Sequence, residues 1–343
     1  MPKLSQIWCS AMRCGAASLV AASLFAGNAV AAAQESPPVS SLEVDGVELA
    51  YVERGQGEPV IFVHGTLTDY RLWTPQMEPF AEQYRAIAYS RRYHYPNASL
   101  GQVGDGADYS FALHAEDLAG LIQRLGLGPA HVVGHSTGAI VALLLARQHP
   151  ELVRTLVLGE PGLRSLLTQS PDDQALAAEE LATTIRPAQD ALRRDDLEGG
   201  ARAFVDGRNA RPGAFDQLPP AARANQLANA PALKAELVLG PGLPSFTCQD
   251  AHQISAPTLL LTGERSLRFF DRIAEVLEGC LPDAQRAEIP GAPHGGIFSA
   301  NPQAANDAVL AFLASRPPPA AQRPPVQLPR ALPRAGEPGP VVP

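Results

Sequence analysis

The stretch His131–Ala146, HVVGHSTGAIVALLLA, decides the fold of this chain. Its first residues favour a β-strand, and its Ala- and Leu-rich second half favours a helix. Between the two, Gly134 and Gly138 flank Ser136 in a Gly-x-Ser-x-Gly pattern. A strand that turns sharply into a helix needs neighbours without a Cβ, and the turn holds its apical serine near a helix N-terminus. The pattern predicts a nucleophile elbow, with a plain Gly-rich turn as the alternative.

The chain begins with a segment that we interpret as a secretory signal peptide, residues 1–33. Lys3 and Arg13 precede an apolar run, and Ala31-Ala32-Ala33 is typical of a cleavage site. An uncleaved anchor is the alternative, but the run is short and rich in small residues for a membrane span. We therefore expect a periplasmic or secreted protein that has no membrane span after cleavage.

The charge of the chain limits its partners. The formal net charge is −8, and it becomes −10 once Lys3 and Arg13 leave with the signal peptide. An acidic surface disfavours nucleic acid as the main partner, because it cannot replace the counterions of the phosphates. We expect a small-molecule substrate, and the sequence carries no signal for an oligomeric state.

Two cysteines remain after signal cleavage, Cys248 and Cys280. In an exported protein a pair of this kind is more often joined than free, so we predict a disulfide between them. Two buried free thiols are the alternative.

The sequence that follows the signal peptide alternates strand and helix patterns. A hairpin is predicted around Asp45-Gly46, and continuous apolar runs such as Pro59–Val63 indicate strands buried on both faces. Helical spacing separates the runs. The alternation predicts an α/β fold with a doubly wound, mostly parallel sheet, formed by residues 34–160 and 251–315.

The alternation of strand and helix patterns stops between residues 161 and 250. Ser170-Pro171 is typical of a helix start, and Ala-rich amphipathic segments follow without a strand pattern. We predict an inserted helical cap over this range. Residues 316–343 are rich in proline and predict a disordered tail.

Four motifs, taken in order, resemble the α/β-hydrolase fold family. They are PVIFVHG at residues 59–65, VVGHSTGA at 132–139, PTLLLTGE at 257–264 and IPGAPHGG at 289–296. The sequence is most similar to the capped branch of esterases, lactonases and dehalogenase-like enzymes, over about Leu42–Ser315. The resemblance implies a nucleophile, an acid and a histidine in that order along the chain.

The resemblance implies Ser136 as the nucleophile and His294 as the base that activates it. Pro293 departs from the Gly-x-Gly-His surrounding usual in the family, so a structural loop histidine is the alternative for His294. The backbone amides of Thr66 and Thr137 are expected to form the oxyanion hole. A serine nucleophile excludes the members that use an aspartate, the haloalkane dehalogenases and epoxide hydrolases.

The acid departs from the commoner family pattern. Most relatives carry an aspartate three positions after the glycine of PTLLLTGE, where this chain has Ser266. A subset of the family places the carboxylate after the preceding strand, and Glu160 occupies that position. We predict Glu160 as the acid, with Glu264 or Asp271 as alternatives.

The candidate substrate contacts are Arg92, His94 and Arg164. Arg92 and His94 lie in a loop expected at the carboxyl edge of the sheet, where they could contact a carboxylate or another polar group. The alternative is that these arginines pair with surface acids and stack on tyrosines. No pattern has metal-ligand spacing and no Gly-x-Gly-x-x-Gly follows a strand, so neither a metal nor another cofactor is expected.

The sequence predicts an exported serine hydrolase that cleaves a small or medium ester, a lactone or a related acyl bond through a Ser-His-Glu triad and an acyl-enzyme. One alternative uses the same triad for carbon–carbon bond hydrolysis or cofactor-free perhydrolysis. A second is a non-catalytic ligand-binding protein that keeps the fold, because fold alone does not fix function.

Overall fold

The computed structural model describes residues 37–104 and 106–316. The predicted signal peptide and the predicted Pro-rich tail from residue 317 onward lie outside the described residues. Within them, no helix combines the length and the apolar character required to cross a bilayer.

One eight-stranded sheet organises the described chain, with the strand order β1-β2-β4-β3-β5-β6-β7-β8. Only β2 runs antiparallel to its neighbours, so the sheet is mostly parallel, as predicted. The strands are β1 (Ser40–Val44), β2 (Val47–Arg54), β3 (Glu58–Val63), β4 (Tyr84–Tyr89), β5 (Ala130–His135), β6 (Val153–Gly159), β7 (Thr258–Gly263) and β8 (Ala284–Ile289).

Helices connect the strands and cover both faces of the sheet. They are α1 (Thr74–Ala81), α2 (Phe111–Arg124), α3 (Thr137–Gln148), α4 (Pro171–Glu180), α5 (Arg186–Leu192), α6 (Leu197–Arg208), α7 (Pro220–Ala228), α8 (Ala230–Lys234), α9 (Cys248–His252), α10 (Arg268–Cys280) and α11 (Pro302–Ala314). Single π-helical turns at Leu181–Ile185 and Ala235–Leu239 follow α4 and α8.

The alternation of side chains along the strands divides the core between the two faces of the sheet. In β3, Ile61 and Val63 pack with residues of α2, α3 and α10, whereas Val60 and Phe62 pack with residues of α1 and α11. All four side chains are fully buried. A central strand covered on both faces therefore has one continuous apolar run in its sequence. This is why PVIFV predicts a strand buried on both faces.

The segment after β3 has the spacing of one continuous helix from Tyr70 to Glu82, but two helical elements form there. A 3₁₀ turn occupies Tyr70–Trp73, and the α-helix begins only at Thr74. Pro75 explains the boundary, because proline has no N–H to donate and is favoured in the first turn of a helix.

Between β6 and β7 the described chain forms helices and turns and no strand. Ser170 is the N-cap of α4, the first α-helix of this region, and accepts a hydrogen bond from the Asp173 amide. The helices enclose an apolar cluster of their own, in which Phe204 and Phe215 are buried, and Leu67 from the loop after β3 joins it. This packing supports the helical cap predicted for residues 161–250, and the domain boundaries themselves stay a prediction.

Cys248 and Cys280 form a disulfide, with their Cα atoms 5.2 Å apart. The bond joins the beginning of α9 to the end of α10. It therefore ties the end of the helical insertion to the core across a sequence separation of 32 residues.

Replacing both cysteines with alanine is expected to lower the free energy of unfolding by about 3 to 4 kcal/mol. The reason is the larger conformational entropy of an unfolded chain without the closed loop. Denaturant unfolding of the oxidised protein and of the double variant measures the difference. If alkylation without reductant modifies both thiols of the unfolded wild-type protein, the bond does not form.

Candidate active site

Ser136 stands alone between β5, which ends at His135, and α3, which begins at Thr137. Its backbone has φ 53° and ψ −118°, in the positive-φ region that residues with a side chain rarely adopt. The Ser136 amide donates a hydrogen bond to the Gly159 carbonyl over 2.7 Å and fixes the turn. This strained strand-to-helix turn is the geometry expected of a nucleophile elbow.

The two glycines of the motif are required by close backbone approaches. A Cβ on Gly134 would lie 2.6 Å from the Cα of Ala139, and one on Gly138 would lie 2.2 Å from the carbonyl oxygen of Val63. No real Cβ tolerates such distances, and in both cases the obstacle is backbone. Gly134 is limited by the start of α3 and Gly138 by the end of β3, so only glycine fits at these positions.

His294 reaches the serine from the turn that follows β8. Its Nε2 lies 3.1 Å from the Ser136 Oγ, and its ring stacks on Phe270 with centroids 3.8 Å apart and planes 6° from parallel. His135 supports the same turn, since its Nε2 donates to the His294 carbonyl oxygen over 2.9 Å. Stacking on Phe270 holds the imidazole, and the hydrogen bond from His135 holds the His294 backbone, with one ring nitrogen directed at the serine.

Glu160 lies on the other side of the imidazole, in the loop after β6. The Nδ1 of His294 donates to its Oε2 over 2.6 Å, and the Gly263 amide donates to its Oε1 over 2.8 Å. With Nδ1 protonated, Nε2 is free to accept the serine proton. The side chain of Glu160 is fully buried, and its backbone φ of 49° directs it toward the histidine.

The two alternative acids point elsewhere. Glu264 accepts a hydrogen bond from the Gly291 amide, and Asp271 forms ion pairs with Arg268 and Arg286 at the surface. Neither carboxylate contacts His294 in the described part of the chain. Of the three candidate acids, the structure brings only Glu160 to the histidine.

Burial shifts both members of this pair toward their uncharged forms. Desolvation raises the pKa of Glu160 to about 7, against the opposing effects of Ser266, the Gly263 amide and His135. Desolvation lowers the pKa of His294 well below its usual 6.5, and the positive charge of Arg208 adds to the lowering. His294 is therefore a neutral base at neutral pH, ready to take a proton.

The acid limb of the kcat/KM profile is consequently expected to reflect protonation of Glu160, with its midpoint near pH 7, because the carboxylate is needed to stabilise the imidazolium. Activity requires neutral His294, and a lowered pKa keeps the imidazole neutral as the pH falls until that pKa is reached. The charged and titratable groups around the ring are Glu160, Arg208 and His135. A kcat/KM profile between pH 4 and 9 with an ester that does not ionise in this range measures the midpoint. A midpoint below pH 6 would mean that Glu160 stays ionised there and would contradict its raised pKa.

The predicted oxyanion residues lie beside the serine. Thr137 opens α3, so its amide is one of the first-turn N–H groups that have no partner within the helix. Thr66 follows β3 and lines the same cavity as Ser136. The Thr66 and Thr137 hydroxyl oxygens are 3.0 Å apart, which places the two residues side by side.

A buried ion pair lies behind these two threonines. The Arg91 Nη2 is 2.8 Å from the Glu236 Oε1, and the Thr66 hydroxyl donates to the Glu236 Oε2 over 2.6 Å. Arg91 is completely buried and Glu236 is 4% exposed. Because Glu236 belongs to the helical insertion, this pair fastens the insertion to the core directly behind the proposed oxyanion hole.

The candidate substrate contacts take different positions. The Arg92 guanidinium pairs with both oxygens of Asp117, and His94 is buried between Arg91 and Glu236. Neither lines the cavity at Ser136. Arg164 pairs with Glu180 over 2.7 Å and lines a small cavity of about 60 Å³ that also includes Thr66 and Thr137.

A cavity of about 260 Å³ opens over Ser136 and His294. Its walls come from the core loops and from the insertion, including Leu67, Phe204, Arg208 and Gln226. Sequence reasoning missed Arg208, because it ends an amphipathic helix whose register on the core cannot be derived from local pattern. A larger cavity of about 610 Å³, lined by parts of the insertion and of α10, includes neither Ser136 nor His294.

Within residues 37–104 and 106–316, no group of three His, Cys, Asp or Glu side chains is placed to hold a metal ion.

The fold and this geometry agree with sequence comparison. A sequence profile described as the α/β hydrolase fold matches residues 58–300, more than half of the chain. The chain belongs to the α/β hydrolase fold family.

Individual relatives are more distant. A protein of Mycobacterium tuberculosis, whose name gives non-heme bromoperoxidase BpoC as a provisional assignment, is 29% identical over 280 residues, covering 78% of this chain and 98% of that protein. A thermophilic esterase from Thermogutta terrifontis is 25% identical with a TM-score of 0.61, covering 81% of this chain and 97% of that one. The carboxylesterase CesB from Bacillus subtilis, at 21% identity and a TM-score of 0.60 over 82% and 93% of the two chains, shares the fold.

Proposed function

We propose that this protein is a serine hydrolase that cleaves a small or medium ester, or a lactone, through an acyl-enzyme. The observation that carries the proposal is the chain of hydrogen bonds from the Ser136 hydroxyl through His294 to the buried Glu160. The similarity to the Thermogutta terrifontis esterase supports ester hydrolysis as the reaction class.

In the first half of the reaction, His294 Nε2 takes the proton of Ser136 while the Oγ attacks the substrate carbonyl carbon. The carbonyl oxygen becomes negative and is stabilised by the Thr66 and Thr137 amides. The imidazolium that forms is stabilised by the negative charge of the Glu160 carboxylate, which accepts the hydrogen bond from Nδ1. His294 then gives its proton to the departing alcohol, and the acyl group remains on Ser136.

Water completes the reaction. His294 removes a proton from a water molecule, which attacks the acyl carbon, and the returning proton restores the Ser136 hydroxyl as the acid leaves. The cavity of about 260 Å³ is at the small end of ordinary ligand pockets, which supports a small or medium acyl ester over a long-chain one.

Turnover of a panel of esters and lactones of graded acyl length tests the proposal. We expect the mature protein to hydrolyse short esters or lactones and to lose activity as the acyl chain outgrows the cavity. A protein that hydrolyses none of them would fit the non-catalytic alternative, and turnover limited to β-diketone ring-fission products would fit carbon–carbon hydrolysis.

Perhydrolysis is a second candidate reaction, supported by the name of the Mycobacterium tuberculosis relative. Hydrogen peroxide would replace water in the second half, so that the acyl-enzyme yields a peracid and free Ser136. The peracid then oxidises bromide in solution. Bromination that requires both a short carboxylic acid and peroxide, and that is lost in Ser136→Ala, would support this reaction.

We further propose that the chain is exported. The signal-peptide pattern of residues 1–33 and the disulfide between Cys248 and Cys280 support this, since disulfides persist in oxidising compartments. Mass spectrometry of the protein recovered from the periplasm or the medium should find Gln34 as the first residue. Recovery of the intact chain from the cytoplasm alone would contradict export.

A further inference from the structure

Arg208 is the one charged side chain of the insertion that lines the cavity at Ser136 and His294. It is the last residue of α6 and is 7% exposed. The rings of Phe204 and Phe270 lie 5.0 and 5.2 Å from the guanidinium carbon, and Phe270 also stacks on His294. The guanidinium is thus held on aromatic faces within the proposed catalytic site.

The hydrogen-bonding capacity of this guanidinium is not filled. Its Nη1 forms an ion pair with the Glu180 Oε1 at 2.8 Å, but neither Nη1 nor Nε makes a hydrogen bond of good geometry in the described part of the chain. Guanidinium carries five N–H donors, and a buried charge with unpaired donors is costly. An anionic ligand in the adjoining cavity would offset that cost electrostatically.

Arg208 shares its ion-pair partner with a second arginine. Arg164 and Arg208 both pair with Glu180, whose side chain is 1% exposed, so two cations share one carboxylate. Arg91, the neighbouring buried cation, already has Glu236. The Glu160 carboxylate also acts on Arg208, but its oxygens accept hydrogen bonds from His294 and from the Gly263 amide. Arg208 therefore has only a shared carboxylate partner, which leaves it able to pair with one anionic group of a ligand.

The same charge opposes catalysis in the absence of a ligand anion. Arg208 lowers the pKa of His294, which means that it disfavours the imidazolium formed during acyl transfer. A bound anion would neutralise Arg208 and remove this penalty when substrate is present. This arrangement favours a substrate that carries a negative charge.

We propose that Arg208 binds a carboxylate of the substrate, so that the preferred substrates are small esters or lactones that carry a free carboxylate in addition to the bond that is cleaved. This rests on the proposed function, because it assigns the substrate class of the same site. The planar guanidinium can bind both oxygens of a carboxylate, and such charge-assisted pairs are about twice as strong as neutral hydrogen bonds.

Matched substrates test the proposal. Monomethyl succinate, glutarate and adipate carry a carboxylate at increasing distance from the ester, and the corresponding primary amides are neutral and almost isosteric. For at least one length we expect kcat/KM of the wild-type enzyme to be about 10- to 100-fold higher for the carboxylate than for the amide, the range expected of a hydrogen bond to a charged group.

Variants identify the residue responsible. Arg208→Gln is expected to reduce this ratio to about one or below, and Arg208→Lys to retain part of it, because lysine keeps the charge without the planar fork. Folding is expected to survive, since Glu180 retains Arg164. Arg211→Gln removes the same charge from an exposed position three residues further along and should keep the wild-type ratio.

Three outcomes would overturn the proposal. They are equal kcat/KM for carboxylates and amides in the wild type, an unchanged ratio in Arg208→Gln, or an equal loss of the ratio in Arg211→Gln. Labelling by a fluorophosphonate distinguishes failure of the carboxylate site from failure of the hydrolase function. A protein that is labelled and hydrolyses amides without preference retains the hydrolase function and lacks the carboxylate site, whereas a protein that is neither labelled nor active lacks both.

Discussion

Ser136→Ala is expected to lower kcat for the best ester substrate by about a million-fold, the effect of removing the nucleophile from a serine triad. Without the Oγ there is no acyl-enzyme, and the residual rate comes from the oxyanion amides and from substrate binding alone. Steady-state turnover with the substrate chosen by the panel measures the loss. The substitution removes one oxygen atom and keeps the Cβ, so the elbow should fold unchanged.

Ser41→Ala is a matched control, because Ser41 is an exposed serine in β1, outside the cavity. It should keep the turnover of the wild type. Turnover of Ser136→Ala within about tenfold of the wild-type value would mean that another group attacks the substrate.

Glu160→Gln is expected to lower kcat by about ten-thousand-fold. An amide in place of the carboxylate keeps the size of the side chain but cannot balance the imidazolium, and it favours the wrong histidine tautomer. The fully buried position makes this loss of charge complementarity large, because little solvent can replace it. Steady-state kinetics at pH 7 to 8, where His294 is neutral, measures the effect.

The alternative acids provide the controls for this prediction. Glu264→Gln changes the same functional group at the residue directly after β7, where the carboxylate accepts from the Gly291 amide. Asp271→Asn removes a surface carboxylate paired with arginines. Both should keep kcat within a few-fold of wild type. An inactive Asp271→Asn together with an active Glu160→Gln would move the acid to Asp271.

The sheet and the elbow could be predicted from sequence because local rules determine them. Strands buried on both faces are continuous apolar runs, which can be recognised in the sequence. The close approaches at Gly134 and Gly138 exclude every other residue, so the Gly-x-Ser-x-Gly motif can be recognised there as well. The position of Glu160 could also be predicted, since parallel strands deliver their following loops to the same edge of the sheet. Its hydrogen bond to His294 required the structure.

The walls of the cavity could not be predicted in the same way. Arg208 ends α6 and Glu236 lies in the π-helical turn after α8, and the directions of both side chains depend on how these helices pack on the core. Arg92 and His94 were chosen because their loop follows β4, but pairing with Asp117 and burial against Arg91 turn their side chains away from the cavity. Long-range packing decides such contacts.

The central claim is that Ser136 is a nucleophile activated by His294, and covalent labelling by a fluorophosphonate tests it most directly. We predict one adduct per chain in the intact mass, located by peptide mass spectrometry on Ser136. Labelling should be absent in Ser136→Ala and slowed by orders of magnitude in His294→Ala. An unlabelled wild-type protein, or an adduct on any residue other than Ser136, would contradict the account.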